Sequence, residues 1–159
     1  MPEVSSVQIR PILARDIPAV CAIIALHSSY DAACAKASFE RELAGIVEVR
    51  SQHIVAVICG GIIGVSGWRA DELCGEGIFW LGWTYVQPDH RRHGIGSVLL
   101  NAVLQEIRQK GARKLYLDTG ATGYEAALAF YTKHGFVHEA RLPDYYSDGE
   151  DALILARPV

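Results

Sequence analysis

Seven consecutive positions, Arg91-Arg92-His93-Gly94-Ile95-Gly96-Ser97, combine two arginines, a histidine and two glycines. They join an apolar run ending at Val86 to a helical pattern opening Val98-Leu99-Leu100, and that setting predicts a phosphate cradle. The first N–H groups of a helix have no intrahelical acceptor and carry the positive end of the macrodipole, so an anion docks there without a dedicated side chain. Gly94 and Gly96 lack Cβ atoms and let a pyrophosphate approach the main chain, while Arg91 and Arg92 add positive charge beside it. His93 is either a phosphate neighbour or a surface residue.

Two families place such a cradle between strand and helix. A Rossmann dinucleotide site needs a third glycine where this chain has Leu99. The run instead resembles the Arg/Gln-x-x-Gly-x-Gly/Ala signature of the GNAT superfamily of acyl-CoA N-acyltransferases, met in full from Arg91 to Gly96. Val86-Gln87-Pro88 precedes it as the family's Val-x-Pro, and Ala127 to Phe136 resembles the family's Ala-x-x-x-Tyr-x-x-x-Gly-Phe segment in the same order and spacing.

What the resemblance implies is transfer of an acetyl group from acetyl-CoA to a primary amine, by direct attack in a ternary complex without an acyl-enzyme. The cradle, Arg91 to Ser97, would hold the pyrophosphate of coenzyme A. Backbone groups of Thr84, Tyr85 and Val86 would lie along the pantetheine arm and the acyl carbonyl, where main-chain donors act as an oxyanion hole. Tyr124 stands where an asparagine usually contacts that arm. Tyr131 matches the tyrosine that protonates or hydrogen-bonds the leaving sulfur; its alternative role is aromatic packing at helical spacing from Leu128. Asp118 ends a strand where the bacterial enzymes acetylating the N-terminal alanine of a ribosomal protein carry a carboxylate, and it is the candidate base. Its alternative is to cap a turn at Thr119-Gly120, as aspartate often does. Glu76 is a minor candidate for the same role. Arg141 to Ala152 resembles the loop before the last strand in protein N-terminal acetyltransferases, where paired tyrosines shape the acceptor site. Its carboxylates, Asp144, Asp148, Glu150 and Asp151, either attract a cationic amine or are simply solvated.

The elements that must position these groups can be read along the chain. Met1 to Ser6 reads as a tail, and Val7 to Arg10 as a strand ended by Pro11. Ala14 to His27 has helical spacing, His27 to Lys36 has weak periodicity and corresponds in the family to a substrate-facing loop, and Ser38 to Leu43 reads as a short helix capped by Ser38. Ile54 to Cys59 and Ile62 to Trp68 form a hairpin through Gly60-Gly61. Gly77 to Val86 is a strand whose inner Leu81-Gly82-Trp83 marks a bulge or a close backbone approach. The signature helix runs from Gly94 to Lys110, burying Ile95, Val98, Leu99, Ala102, Val103 and Ile107, with Gly111 just past its end. Lys114 to Asp118, Val137 to Arg141 and Ala152 to Arg157 are strands, and Tyr124 to His134 is a helix stopped by Gly135. The expected architecture is one mixed α/β domain over residues 1–159, a GNAT fold with a mostly antiparallel sheet of about six to seven strands and about four helices. Trp68 and Trp83 have core readings.

Composition narrows the partners. A formal charge of -3 argues against a general nucleic-acid binder, since the basicity is confined to His90-Arg91-Arg92-His93. Four widely spaced cysteines, with no C-x-x-C and no histidine clustering, argue against a metal site or a disulfide framework. No apolar run approaches the ~18 residues of a membrane span, and the expected location is the cytoplasm. A homodimer remains open. Two rival functions stand beside the acyltransferase: a non-catalytic acyl-CoA sensor, and a dinucleotide oxidoreductase using Asp118 on a ribose. Retention of Tyr131 with Asp118 disfavours the first; Leu99 and the hairpin-rich N-terminal half disfavour the second.

Overall fold

A computed structural model describes residues 6–45 and 50–159; of the expected tail, Met1 to Ser5 lies outside them. In chain order the elements are β1 (Gln8–Pro11), α1 (Ile17–Ala25), α2 (Ser29–Leu43), β2 (Ser51–Ile58), β3 (Gly61–Ala70), β4 (Ile78–Leu81), β5 (Tyr85–Val86), α3 (Ile95–Gln109), β6 (Lys114–Gly120), α4 (Glu125–Lys133), β7 (Val137–Ser147) and β8 (Glu150–Pro158). The class is the expected mixed α/β, with eight strands and four α-helices among the described residues. The chain divides into two compact units, Met1–Ala70 with Leu81–Ile107, and Asp71–Trp80 with Arg108–Val159.

In the first unit, β1, β2 and β3 are joined antiparallel, and β5 pairs antiparallel with β3 through Gly64↔Val86 and Val65↔Tyr85. Ile54 to Val57 is a continuous buried run, the mark of a strand covered on both faces. The β2–β3 turn sits one residue earlier than expected, at Cys59-Gly60. Both residues take positive φ, 48° and 80°, as the twist of a two-residue hairpin demands. α1 buries Ile17, Val20, Ile23 and Ile24. Its approach is fixed by Asp16, which accepts two bonds from Arg10 at 2.6 and 3.0 Å and one from the Leu13 N–H at 2.8 Å.

The largest departure from expectation is α2. It starts at Ser29, capped by the Ser28 hydroxyl accepting the Asp31 N–H at 3.1 Å, so Ser38 is an interior residue and the stretch expected as a loop is mostly helix. The reason is physical. The buried face is built from Ala32, Ala35 and Phe39, and alanines carry too little hydrophobicity to reveal a helical period. They let α2 pack closely while Phe39 fills the core with Val20, Ile24, Val55 and Val65. Truncating a ring buried this completely costs about 3–5 kcal/mol.

α3 buries Ile95, Leu99, Leu100, Val103, Leu104 and Ile107, whereas Val98 and Ala102, expected inside, are only half-buried. A Cβ on Gly64 of β3 would meet Leu99 Cδ1 at 3.1 Å, so that glycine sets how closely α3 approaches the strand. Trp68 is a core residue, with its indole N–H donated to Glu106 at 2.8 Å.

In the second unit, β4 runs parallel to β6, and β6–β8 and β8–β7 are antiparallel. Leu115, Leu117 and Thr119 alternate into the interior of β6. Here too the observed elements outrun expectation. β6 continues through Thr119 and Gly120, and the segment expected as a loop, Arg141 to Ala152, is instead the far end of a β7–β8 hairpin. Turn-forming residues such as Pro143 and Gly149 suggest a loop locally, but pairing with β8 supplies a ladder that local propensity does not reveal. The strand expected over Gly77 to Val86 is broken into β4 and β5, with Gly82 to Thr84 in neither.

Candidate active site

The first unit carries the strand break and the cradle. Three bonds fix the break. The Gly82 N–H donates to the Gly67 carbonyl at 2.7 Å, the Trp83 N–H donates to His53 Nε2 at 3.1 Å, and the Thr84 hydroxyl donates to the Gly82 carbonyl at 3.0 Å. Ser66 Oγ lies 2.8 Å from the Thr84 hydroxyl and completes the set. Backbone that would otherwise continue a ladder is thereby turned out of it. Thr84, Tyr85 and Val86, expected along a pantetheine arm, sit at and just beyond the break, all half-buried. The Tyr85 hydroxyl donates to Asp31 at 3.1 Å, tying β5 to the start of α2.

Beyond β5 the chain makes a single 3-10 turn at Pro88–His90 and then the cradle. Arg91 does more than supply charge: its Nε donates to the Val86 carbonyl at 3.0 Å, anchoring the cradle to the strand end. Arg92 and Gly94 both take positive φ, 62° and 79°. For Gly94 this is the conformation that a side chain resists, and for Arg92 it is a strained one. The ladder of α3 opens with the Val98 N–H bonding to the Gly94 carbonyl at 3.0 Å, so the N–H groups of Ile95 and Gly96 have no acceptor within the helix. Arg91, Arg92 and His93 are exposed around this terminus. The Ile95 side chain is buried, so only its main chain is available to an anion. Ser97 is half-buried in the first turn.

The second unit carries side chains capable of proton transfer. Asp118 projects from an exposed position of β6, and no turn begins there to be capped. Its Oδ2 accepts the Tyr146 hydroxyl at 2.7 Å. Partial burial and the adjacent Asp118 carboxylate push the Tyr146 hydroxyl well above the ordinary phenol range, so it remains a donor. Tyr145 meets Tyr146 edge to face, with centroids 5.1 Å apart. Tyr131 is half-buried on α4, with Phe130 and Phe136 at 5.3 and 5.5 Å, both edge-on. Those contacts orient the ring. Tyr124 lies over Gly120 so closely that a Cβ there would fall 2.3 Å from its ring.

Two of the acidic residues suggested for amine attraction serve the hairpin instead. Asp151 accepts the Asp144 N–H at 2.9 Å and Arg141 Nε at 2.5 Å, which together hold its carboxyl below the usual range, and Asp144 accepts the Gly149 N–H at 2.7 Å. Glu76 is exposed, and its carbonyl is engaged by Arg113 Nε at 2.8 Å. All four cysteines are free thiols, and no metal-binding cluster occurs among the described residues. None of the described helices is long and apolar enough to cross a membrane.

One part of the site was not anticipated. His53 is 2% exposed, and its Nδ1 lies 2.8 Å from a Glu42 carboxylate that also accepts the His53 N–H at 2.7 Å and the Ser51 hydroxyl at 3.0 Å. Burial raises the Glu42 carboxyl, but these bonds outweigh it and the net displacement is downward, so the carboxylate form is held. Since Nε2 accepts from Trp83, the proton sits on Nδ1. Stranding such a carboxylate by deleting its partner costs about 3–5 kcal/mol. The only sequence signal is a histidine opening a run of apolar β residues.

Residues 13–136 match the Acetyltransferase (GNAT) family. A 77-residue stretch is 38% identical to the [Ribosomal protein bS18]-alanine N-acetyltransferase of Escherichia coli K12, covering 46% of this chain and 51% of that protein. The chain spans about half the length of the curated relatives it matches. Among solved structures it resembles Ard1 from Thermoplasma volcanium, with a TM-score of 0.80 at 28% identity over 97% of this chain and 98% of that one. It shares its fold, at a TM-score of 0.79 and 17% identity over 95% and 96% of the chains, with an aminoglycoside 6'-N-acetyltransferase complexed with coenzyme A. With more than half its length matched to that family, this chain belongs to the GNAT acetyltransferase family.

Proposed function

We propose that this protein transfers an acetyl group from acetyl-CoA to a primary amine, with a peptide α-amine as the acceptor. The observation that carries the reading is the junction from Gly82 to Ser97: a strand turned out of its ladder, followed by two exposed arginines and a left-handed glycine that opens a helix. A pyrophosphate fits such a terminus, because main-chain N–H groups and Arg92 meet it without a side chain in the way.

Within that reading, the main chain at Thr84 to Val86 orients the thioester and offers donors to the charge that develops on its carbonyl oxygen. Asp118 receives the proton of the attacking amine, directly or through one water, and Tyr146 keeps the carboxylate oriented by its 2.7 Å bond. Tyr131 donates its proton or a hydrogen bond to the departing sulfur. No cysteine stands in a nucleophile's setting, which supports direct transfer. A peptide acceptor is favoured by the paired Tyr145 and Tyr146 beside Asp118, and by the similarity to a ribosomal-protein alanine N-acetyltransferase. The whole of 1–159 acts as one catalytic domain in this reading, since the family match reaches into both units. Four free thiols suit a reducing cytoplasm.

Thermal melting with candidate ligands tests the cofactor. Coenzyme A at ~100 times its dissociation constant should stabilise the fold by about 2.7 kcal/mol and raise Tm by several degrees. A larger shift with NAD or NADP would sink the acyltransferase reading. Release of free thiol from acetyl-CoA across a panel of peptides, lysine derivatives, polyamines and aminoglycosides then identifies the acceptor. A response to coenzyme A with no thiol release on any amine would favour a sensor instead.

A further inference from the structure

The Gly82–Trp83 peptide unit is held at both ends: its N–H donates to His53 Nε2 at 3.1 Å and its carbonyl accepts the Thr84 hydroxyl at 3.0 Å. This unit immediately precedes the backbone assigned to the thioester in the acetyltransferase reading, and any role of His53 in transfer rests on that reading. Its N–H bonds to a side chain, where an uninterrupted strand would use a neighbouring carbonyl.

The imidazole has been given room to do this. A Cβ on Gly82 would lie 2.4 Å from His53 Nε2, and one on Gly67 would lie 2.6 Å from the ring's Cδ2, so β3 and the chain just after β4 are bare of side chains where the ring rests. Phe39 closes another side edge-on at 4.9 Å. The ring cannot rotate away, because Glu42 holds Nδ1 while the same carboxylate accepts the His53 N–H. The result is a chain of fixed partners running from Ser51 through Glu42 and His53 to the Trp83 amide.

We infer that His53, oriented by Glu42, is a positioning residue for acetyl transfer: by holding the Trp83 amide it keeps the chain ahead of β5 out of the ladder and aims the following main-chain groups at the thioester. Neither residue touches the reacting atoms. The reason to use a side chain is that a carbonyl acceptor there would belong to a strand and would restore the ladder, whereas an imidazole nitrogen satisfies the N–H while leaving the strand broken.

The test separates the two ends of the imidazole. In His53→Asn the amide can still donate to Glu42 but falls short of Trp83; in His53→Gln an acceptor returns near the position of Nε2. Amide hydrogen exchange followed by NMR should show the Trp83 N–H exchanging at least tenfold faster in His53→Asn, with Val55 and Val65 unchanged, and His53→Gln recovering most of the protection. Over the same variants kcat for acetyl transfer should fall tenfold or more in His53→Asn and recover in His53→Gln, while the dissociation constant for coenzyme A, set at the cradle, stays within twofold. Unchanged Trp83 exchange in His53→Asn would overturn the proposal, as would faster exchange with an undiminished kcat, or loss of coenzyme A binding in step with kcat. Should the wild type acetylate no amine at all, the parent reading falls, and with it the role in transfer; the exchange comparison still decides whether His53 holds the Trp83 amide.

Discussion

The cradle of the first unit and the aromatic–carboxylate cluster of the second are built from different materials. Around Gly94 the work falls to the main chain: positive φ at Arg92 and Gly94, helix N–H groups, and a carbonyl gripped by Arg91. In the second unit it falls to side chains, namely the Tyr146 hydroxyl on Asp118, the Tyr145 edge against Tyr146 and, on α4, the Tyr131 ring braced by two phenylalanines. A main-chain site is specified by what is absent, the Cβ atoms, and so tolerates little substitution at its glycines. A side-chain site keeps its shape when one functional atom is removed. Binding and chemistry should therefore fail separately.

The strongest way to break that contrast is Gly94→Val. A β-branched residue at φ 79° is strained, and its methyl groups enter the phosphate space, so the melting shift with coenzyme A should vanish altogether. Retention of the shift would place the ligand elsewhere. Next comes Tyr131→Phe, which keeps the ring between Phe130 and Phe136 but loses the hydroxyl. Turnover should drop by roughly 10² to 10³-fold, on the scale of proton-transfer assistance, with Tm and coenzyme A affinity near wild type. Unchanged turnover would make Tyr131 a packing residue only.

Asp118→Asn should have a smaller effect, roughly 10²-fold in kcat/KM, because a water can relay the proton and the asparagine oxygen can still accept from Tyr146. The acidic limb of the pH–rate profile should move with this substitution. An acceptor of lower amine basicity supplies the control: a limb that follows the acceptor and ignores Asp118→Asn rules out the base. The smallest effect lies far from chemistry. Arg10 holds the Asp16 carboxyl below its ordinary range, so the stabilisation is complete above the unfolded value of ~3.9 and is lost as pH falls through the lower native value. Asp16→Asn should cost about 1–2 kcal/mol at pH 7 in chemical denaturation, and the gap to wild type should close in acid. A gap that is constant with pH would mean the carboxylate's charge is not what matters.

The same contrast explains how far the sequence could be read. Gly94, Gly96 and the apolar stripe of α3 are local signals, and the helix stands where the residues imply. The bulge suspected at Leu81-Gly82-Trp83 corresponds to a full strand break. What escaped was carried by distant partners or by small residues. α2 hides behind alanines. The β7 extension depends on β8, and the hairpin turn moved by one residue because Cys59 accepts a left-handed conformation that composition does not forecast. Glu42 and His53 lie 11 positions apart on different elements and share no motif, so nothing short of the fold could bring them together.

The imidazole wedged against Gly67 and Gly82 also constrains how this chain can change over evolutionary time. Each glycine is intolerant of a methyl group while the ring is present, and the ring cannot enter once either glycine has gone. His53 and Gly82 form an epistatic pair in which the order of substitution matters: position 82 had to be bare before the ring could rest there. A lineage that loses His53 eases Gly82, whereas Gly67 stays confined by the Gln52 carbonyl, 2.5 Å from where its Cβ would lie, and each substitution Gly82 then accepts closes the way back further.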